Sequence, residues 1–136
     1  MGSFPRVLLV EDSPAIAELH ERTLRQTGWD VARVNLGREA IRLVHEWAPD
    51  MVVLDLDLPD VDGRTVLQAL KADLRSAQAP VVVVTTAFMD VQREEIRRLG
   101  AAAVLEKAST PPALLAEILR LNLISPGGGN AASSSD

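Results

Sequence analysis

The 136-residue chain contains no cysteine and no tyrosine, and its only aromatic residues are two Trp and two Phe. The absence of cysteine excludes disulfide bonds and thiolate metal sites. The longest purely aliphatic run, Val81–Val84, is far shorter than the ~20 residues that a membrane-spanning helix needs. The apolar segment near the start is also too short for the core of a secretory signal. We therefore expect a cytoplasmic protein.

Basic charge and glycine-rich loops are missing as well. The 14 Lys and Arg residues stand against 19 Asp and Glu residues, which gives a formal charge of −5. This balance argues against direct binding to nucleic acid or to an anionic membrane, because both require a basic surface. The eight glycines form neither a G-x-G-x-x-G motif nor a P-loop, so neither kind of nucleotide cradle is indicated. Binding of a protein or of a small molecule remains open.

Five short aliphatic segments recur along the chain and have the composition of buried strands. Continuous β-branched runs, rather than alternating ones, are typical of strands that are covered on both faces, as in parallel sheets. Helical patterns lie between the runs, which indicates an α/β sandwich. The runs are Val7–Val10, Val31–Val34, Met51–Leu54, Val81–Val84 and Ala103–Leu105.

The segments between the runs carry helix signals. Ser13 and Pro14 supply an N-cap and a proline for the first helical position, and Gly28 ends that helix. Pro49 ends the second helix, and the fifth begins at Thr110-Pro111. The fourth helix spans Asp90 to Gly100. The residues predicted to face inward are Ile16, Leu19 and Leu24 in the first helix, Ala40, Ile41, Val44 and Trp47 in the second, Val66, Leu67, Leu70 and Leu74 in the third, Ile96 and Leu99 in the fourth, and Leu114, Leu115, Ile118 and Leu119 in the fifth.

Five strand–helix units predict a doubly wound α/β fold with a five-stranded parallel sheet and five helices. Of the two common strand orders, the flavodoxin-like order 2-1-3-4-5 is favoured because it uses five strands. We assign residues 1–124 to this domain. Residues 125–136 are rich in Gly and Ser, and we expect a flexible tail or the beginning of a linker there.

Polar residues follow four of the five predicted strands. Ligands of open α/β sheets bind beyond the carboxyl ends of the strands, so we expect these side chains to share one rim. They are Glu11 and Asp12 after the first strand, Asp55 and Asp57 after the third, Thr85 and Thr86 after the fourth, and Glu106 and Lys107 after the fifth.

The carboxylates of this rim would repel one another unless a cation neutralised them. Oxygen ligands without His or Cys suit Mg²⁺, or alternatively Mn²⁺, rather than Zn²⁺. One divalent cation and the Lys107 ammonium would balance three carboxylates, and a neutral site can receive a phosphoryl group. Asp is an established nucleophile in aspartyl-phosphate formation. The Thr85 hydroxyl and Lys107 would stabilise charge on the transferring oxygens.

The segment from Asp55 to Gly63 reads D-L-D-L-P-D-V-D-G and resembles the phosphoacceptor loop of response regulator receiver domains, D-x-x-x-P-x-x-D-G. The spacings from Asp12 to Asp55, from Asp55 to Thr85 and from Thr85 to Lys107 are 43, 30 and 22 residues, and they are also similar to those of the family. The resemblance covers most of the chain.

The resemblance implies a two-component phosphorelay, in which Asp55 accepts a phosphoryl group from a histidine kinase or a histidine phosphotransfer protein. It also implies that Asp12 and Asp55 hold Mg²⁺ together with the backbone carbonyl of Asp57, and that Glu11 acts through bound water. Lys107 would contact the phosphoryl oxygens. Such a protein is not an enzyme for other substrates but a phosphoacceptor that assists its own phosphorylation and dephosphorylation.

In this family Thr85 would move toward the phosphoryl group and switch a protein-binding face formed by the fourth helix, the fifth strand and the fifth helix. The recipient would be a downstream protein, an output domain or a second copy of the chain. Two positions depart from the family pattern. Val104 stands in place of an aromatic switch residue, so we expect output to rely on loop shifts or dimerisation. Ala108 replaces a proline after Lys107, so we expect either a trans bond with a rerouted loop or a cis bond with strong local support.

Two further functions fit part of the pattern. The Asp55-Leu-Asp57 sequence also resembles the nucleophile motif of haloacid-dehalogenase-type phosphatases, although in that family the motif follows the first strand. A receiver-like interaction module that is not phosphorylated would share the fold. Thr86 and Asp57 would flank the path of a water that attacks the phosphoryl group. For His20 and His45, which lie in separate predicted helices, we expect solvated or packing roles.

Overall fold

The computed structural model describes residues 5–86, 90–107 and 111–124, and strands and helices alternate throughout them. The five predicted strand–helix units are confirmed. The elements are β1 (Arg6–Val10), α1 (Pro14–Gln26), β2 (Asp30–Val34), α2 (Gly37–Leu43), β3 (Met51–Asp55), α3 (Gly63–Ala72), β4 (Val81–Thr85), α4 (Asp90–Arg98), β5 (Ala103–Glu106) and α5 (Pro112–Ile124). Within these ranges, no helix has both the length and the apolar character that crossing a membrane requires.

The five strands form one parallel sheet in the order β2-β1-β3-β4-β5, which confirms the flavodoxin-like order. The central strands β1, β3 and β4 consist of continuous aliphatic runs because helices cover both of their faces. The connection that leaves β1 runs to β2 on one side, whereas the connection that leaves β3 runs to β4 on the other side, so a crevice is expected at the carboxyl ends of β1 and β3.

Two apolar layers enclose the sheet. Alternate strand residues face α1 and α5 on one side and α2, α3 and α4 on the other, because successive strand side chains point to opposite faces. In α5 the inward residues are Leu114, Ile118 and Leu121. The prediction that Leu115 and Leu119 are buried is wrong: they are 38% and 55% exposed.

Helix α1 shows a similar shift of its buried face. Its buried residues are Ala17, His20 and Leu24, whereas Leu19, which was predicted to face inward, is 40% exposed. The N-cap is confirmed, since the Ser13 hydroxyl accepts a hydrogen bond from the Ile16 N–H at 3.4 Å. Leu19 neighbours His20 in sequence and therefore lies about 100° around the helix from it.

Two helices are shorter than their apolar patterns predicted. Helix α2 ends at Leu43, and the following residues form turns, although Val44 remains buried. Helix α3 ends at Ala72, so Leu74 lies beyond it and is 94% exposed, not inward-facing. The predicted end of α4 is confirmed: Gly100 has a φ of 117°, in the left-handed region that favours glycine.

Three predictions concern parts of the chain outside the described residues. They are the isomer of the Lys107–Ala108 peptide bond, the part of Thr110 in the beginning of the fifth helix, and the flexible character of residues 125–136. All three stay predictions.

Candidate functional site

Four of the predicted site residues lie at the same edge of the sheet. Glu11 directly follows β1, Asp55 and Thr85 are the last residues of β3 and β4, and Lys107 directly follows β5. The Glu11 N–H continues the ladder by donating to the Val34 carbonyl at 3.1 Å. The side chains of parallel strands meet here because all strands end at this edge. Glu11, Asp55 and Thr85 are each at least 95% buried, at 2%, 1% and 5% exposure.

Three of these side chains form one ion cluster, which we call the Lys107 cluster: Glu11, Asp55 and Lys107. The Lys107 Nζ lies 3.2 Å from Glu11 Oε2 and 3.2 Å from Asp55 Oδ2. Both carboxylate side chains are 1% exposed, and the Lys107 side chain is 14% exposed. One ammonium therefore serves two buried carboxylates, which leaves the cluster with an excess of negative charge.

The titration of the cluster reflects this imbalance. Burial raises the pKa of Glu11 above its ordinary value, and the neighbouring Asp55 carboxylate raises it further. The hydrogen bond from the Ser13 N–H and the Lys107 ammonium only partly oppose this rise. Burial alone would lower the pKa of Lys107, but Glu11 and Asp55 together raise it overall. Lys107 therefore remains charged at neutral pH.

The two oxygens of Asp55 have different surroundings. Oδ1 accepts a hydrogen bond from the Asp57 N–H at 2.8 Å. Oδ2 is buried and accepts no hydrogen bond from the described residues, so its close partner there is the Lys107 ammonium. A buried carboxylate oxygen with incomplete partners is costly for a folded protein. The arrangement leaves lone pairs of Oδ2 available to an incoming group.

The other predicted acidic residues differ from the Lys107 cluster in exposure and in the contacts of their side chains. Asp12 is exposed. The Asp57 carboxylate instead accepts hydrogen bonds from the Thr86 hydroxyl at 3.2 Å and from the Thr86 N–H at 3.4 Å. Both residues had been predicted to flank a water path, but their pairing was missed, because sequence spacing gives no information on contacts between two loops.

The β3–α3 loop, residues 56–62, has an acidic residue that sequence reasoning also missed. Asp60 accepts hydrogen bonds from two N–H groups at the beginning of α2. Asp62, by contrast, caps its own helix, α3, by accepting from the Arg64 N–H at 2.9 Å. The sequence contained only a weak signal for Asp60, namely that Leu36 is a poor N-cap for a helix beginning at Gly37.

The buried histidine and the switch position lie close to this edge. His20 is fully buried in α1, which agrees with a packing role, and burial lowers its pKa. His45 is mostly exposed, with Nδ1 3.2 Å from Asp73 Oδ2. Val104 lies in β5 with 3% exposure and belongs to the apolar layer under α4.

The residues of the rim suit a hard divalent cation by their chemistry. All candidate metal ligands are oxygens, the cluster carries excess negative charge, and among the described residues the close partner of Asp55 Oδ2 is the Lys107 ammonium at 3.2 Å. In the described part of the chain, no three His, Cys, Asp or Glu side chains are already grouped as a metal site. The position between the two buried carboxylates is taken by the Lys107 ammonium.

Comparisons with known proteins agree with this geometry. The family model for the response regulator receiver domain matches residues 7–119. The chain is 32% identical over 112 residues to the polar-differentiation response regulator DivK of Brucella ovis, a match that covers 82% of this chain and 91% of DivK. It is 42% identical over 81 residues to the DNA-binding dual master transcriptional regulator RpaA of Synechocystis. That match covers 60% of this chain but only 34% of RpaA.

A solved structure shows the same fold with a metal in its active site. The receiver domain of the sensor histidine kinase PA1611 from Pseudomonas aeruginosa, which has a magnesium ion coordinated in the active-site cleft, superimposes with a TM-score of 0.76. It is 28% identical in sequence, and the match covers 87% of this chain and 96% of that one. Family model, curated relatives and fold agree, and the chain belongs to the response regulator receiver domain family.

Proposed function

We propose that this receiver domain is a phosphoacceptor that takes a phosphoryl group from a phosphohistidine onto Asp55 and thereby switches a protein-binding face. The observation that carries the proposal is the Lys107 cluster. Oδ2 of the buried Asp55 carboxylate lies 3.2 Å from a lysine ammonium at the ligand-binding edge of the sheet. A buried ion pair is weak evidence for a purely stabilising role, and here a second buried carboxylate, Glu11, shares the same ammonium.

The proposed step exchanges one bond to phosphorus for another. A lone pair of the Asp55 carboxylate forms an O–P bond while the P–N bond of the phosphohistidine breaks. The bonding pair stays on the imidazole nitrogen, and the ring leaves in neutral form because its other nitrogen carries a proton. The product is an acyl phosphate. Lys107 would stabilise the negative charge on the equatorial oxygens of the phosphoryl group, because proteins assist phosphoryl transfer mainly through positioning and electrostatic stabilisation.

A divalent cation belongs to the proposal. Asp12, Asp55 and the backbone carbonyl of Asp57 would hold Mg²⁺, and Glu11 would contact it through water. When bound, the cation supplies positive charge that reduces the repulsion between the carboxylates and the incoming phosphoryl group. The magnesium ion in the active-site cleft of the PA1611 receiver supports a divalent cation at this site.

The output of the switch has to work without the family's aromatic residue. Thr85 is buried at the end of β4, and we propose that its hydroxyl moves toward the phosphoryl group. Val104 is fully packed in the core, so the response would travel through the main chain after Thr85. The recipient would be a downstream protein, an output domain or a second copy of the chain.

The proposal is tested by phosphorylation with a small donor. The full chain is incubated with acetyl phosphate and Mg²⁺, and its intact mass is measured over time. We expect the mass of one phosphoryl group to be added, and we expect the addition to need both Mg²⁺ and Asp55. Asp55→Asn is the decisive variant, because it keeps the size and the Oδ1 acceptor of the side chain but removes the nucleophilic charge.

A matched control keeps the result specific to this aspartate. Asp50→Asn removes a carboxylate that bonds the Arg6 N–H at the opposite edge of the sheet, and it should be phosphorylated like the wild type. An unmodified wild type would indicate the alternative of an interaction module that is not phosphorylated. Continuous release of phosphate from an added phosphomonoester, lost in Asp57→Asn, would indicate a phosphatase instead.

A further inference from the structure

Asp60 links the β3–α3 loop to a helix that lies earlier in the chain. Its Oδ1 accepts a hydrogen bond from the Gly37 N–H at 2.8 Å, and its Oδ2 accepts one from the Arg38 N–H at 3.1 Å. These two N–H groups are among those that a helix cannot satisfy internally at its beginning. Leu36, the N-cap residue of α2, provides no side-chain cap. The loop therefore supplies the cap that α2 lacks.

The same contact is tightly packed. Gly37 is buried, and a Cβ atom at this position would lie 2.7 Å from Val66 Cγ2 and 3.3 Å from atoms of both Leu58 and Val61. A side chain at this position would therefore require neighbouring atoms to shift. The first turn of α2 thus packs closely against the β3–α3 loop and the beginning of α3, and the Asp60 hydrogen bonds hold the loop to α2.

The beginning of the loop contacts the nucleophile. The Asp57 N–H donates to Asp55 Oδ1 at 2.8 Å, and the Leu56 N–H donates to the Val84 carbonyl at 3.2 Å. At the end of the loop, a Cβ atom on Gly63 would lie 2.5 Å from the Leu56 Cα. Both ends of the loop are therefore fixed, and Asp60 holds the middle.

We propose that Asp60 is a positioning residue of the phosphoacceptor site: by capping α2 it keeps the β3–α3 loop where the Asp57 N–H orients the Asp55 carboxylate. This inference rests on the proposed function of Asp55. Asp60 itself touches neither Asp55 nor the reacting atoms. Its effect would be on orientation, because small displacements of a reacting group slow a reaction strongly.

The charge state of Asp60 is consistent with this role. Desolvation would raise the pKa of Asp60, but the N–H groups of Arg38 and Gly37 stabilise the charged form and lower the pKa overall. A charged carboxylate at the beginning of a helix is also favoured by the helix dipole. The hydrogen bonds to α2 therefore favour the ionised form of Asp60.

The test compares Asp60→Ala and Asp60→Asn with the wild type in two measurements. The first is amide hydrogen exchange at Asp57, and the second is the rate at which acetyl phosphate and Mg²⁺ add one phosphoryl group. For Asp60→Ala we expect exchange to be about fivefold faster and phosphorylation about fivefold slower, from the loss of one cap. Asp60→Asn keeps one carbonyl acceptor, so its exchange and phosphorylation rates should lie between those of the wild type and of Asp60→Ala.

Two variants of α2 separate positioning from stability. Arg42→Gly weakens the same helix from its exposed last turn, where glycine is unfavourable, and it should leave both measurements unchanged. Leu36→Ser, added to Asp60→Ala, gives α2 its own cap but does not restore the link to the loop. We expect Asp57 exchange in this double variant to stay fast, whatever the recovery in stability.

Several outcomes would overturn the proposal. These are unchanged Asp57 exchange in Asp60→Ala, slowed phosphorylation in Arg42→Gly, or full recovery of both measurements in the double variant. A wild type that gains no phosphoryl group would refute the proposed function of Asp55 instead. The exchange measurement would then still decide whether Asp60 positions the loop. If Asp60→Ala fails to fold, the Asp60→Asn variant gives the same comparison.

Discussion

Two ion clusters of this protein have opposite compositions. In the Lys107 cluster, two carboxylates share one ammonium, and both carboxylate side chains are 1% exposed. In the second, which we call the Glu21 cluster, one carboxylate is shared by two guanidinium groups: Glu21 lies 2.8 Å from Arg25 Nε and 3.1 Å from Arg33 Nη1. The three side chains of the Glu21 cluster are between 23% and 52% exposed.

The two glutamates titrate in opposite directions as a result. Burial and the Asp55 charge raise the pKa of Glu11. The hydrogen bond from Arg25, and then that from Arg33, lower the pKa of Glu21 despite some desolvation. The Glu21 cluster therefore favours the ionised form of its glutamate, whereas the Lys107 cluster disfavours the ionised form of Glu11. Groups held in an unfavourable charge state in a cleft are typical of functional sites.

The largest effect should follow from Lys107→Met. This change leaves two buried carboxylates without their ammonium, and we expect it to lower the free energy of unfolding by about 3 kcal/mol, as for other broken buried ion pairs. Urea unfolding at pH 7 in buffer without divalent cations measures it. Arg33→Met in the Glu21 cluster is the matched control and should cost under ~1 kcal/mol. Equal losses in the two variants would show that the clusters do not differ in energy.

A smaller effect of the opposite sign is expected from Asp55→Asn. It removes the excess negative charge while keeping an acceptor for the Asp57 N–H, so it should raise the free energy of unfolding by about 1 kcal/mol in metal-free buffer. Glu21→Gln, which leaves two guanidinium groups without a carboxylate, should lower it by about 0.5 kcal/mol. The same urea titrations measure both changes. A loss of stability in Asp55→Asn would contradict the inference that the excess negative charge of the Lys107 cluster destabilises the folded chain.

The parts of the site that could be predicted are those that follow from the sheet. A covered parallel sheet requires continuous aliphatic runs, so the ends of the strands were visible in the sequence. The positions of these strand ends in the sequence are sufficient to predict that Glu11, Asp55, Thr85 and Lys107 lie at one edge of the sheet. The resemblance of the segment from Asp55 to Gly63 to the family loop added the expected chemistry.

The remaining features depend on contacts between distant segments. Leu114 and Leu115 are adjacent and equally apolar, and only the packing of α5 on the sheet decides that Leu114 is the buried one. The Asp57–Thr86 pair joins residues 29 positions apart, and the Asp60–Gly37 bond joins residues 23 positions apart. Hydrophobic periodicity reports neither contact, because it describes one element at a time.

The smallest effect, and the one that separates the clusters by sign, is the pH dependence of stability. Above the ordinary glutamate pKa of 4.5, the folded chain binds more protons at Glu11 than the unfolded chain does, so this glutamate makes stability fall as the pH rises. Below 4.5, the unfolded chain binds more protons at Glu21, so this glutamate makes stability rise with pH until the two states are equally ionised.

Urea unfolding without divalent cations, from about pH 3.5 to 7, would compare the wild type with Glu11→Gln and with Glu21→Gln. The free energy of unfolding of the wild type minus that of Glu11→Gln should decrease as the pH rises. The free energy of unfolding of the wild type minus that of Glu21→Gln should increase. Slopes of the same sign would mean that burial does not outweigh the Lys107 ammonium at Glu11, and the excess charge assigned to the Lys107 cluster would then be wrong.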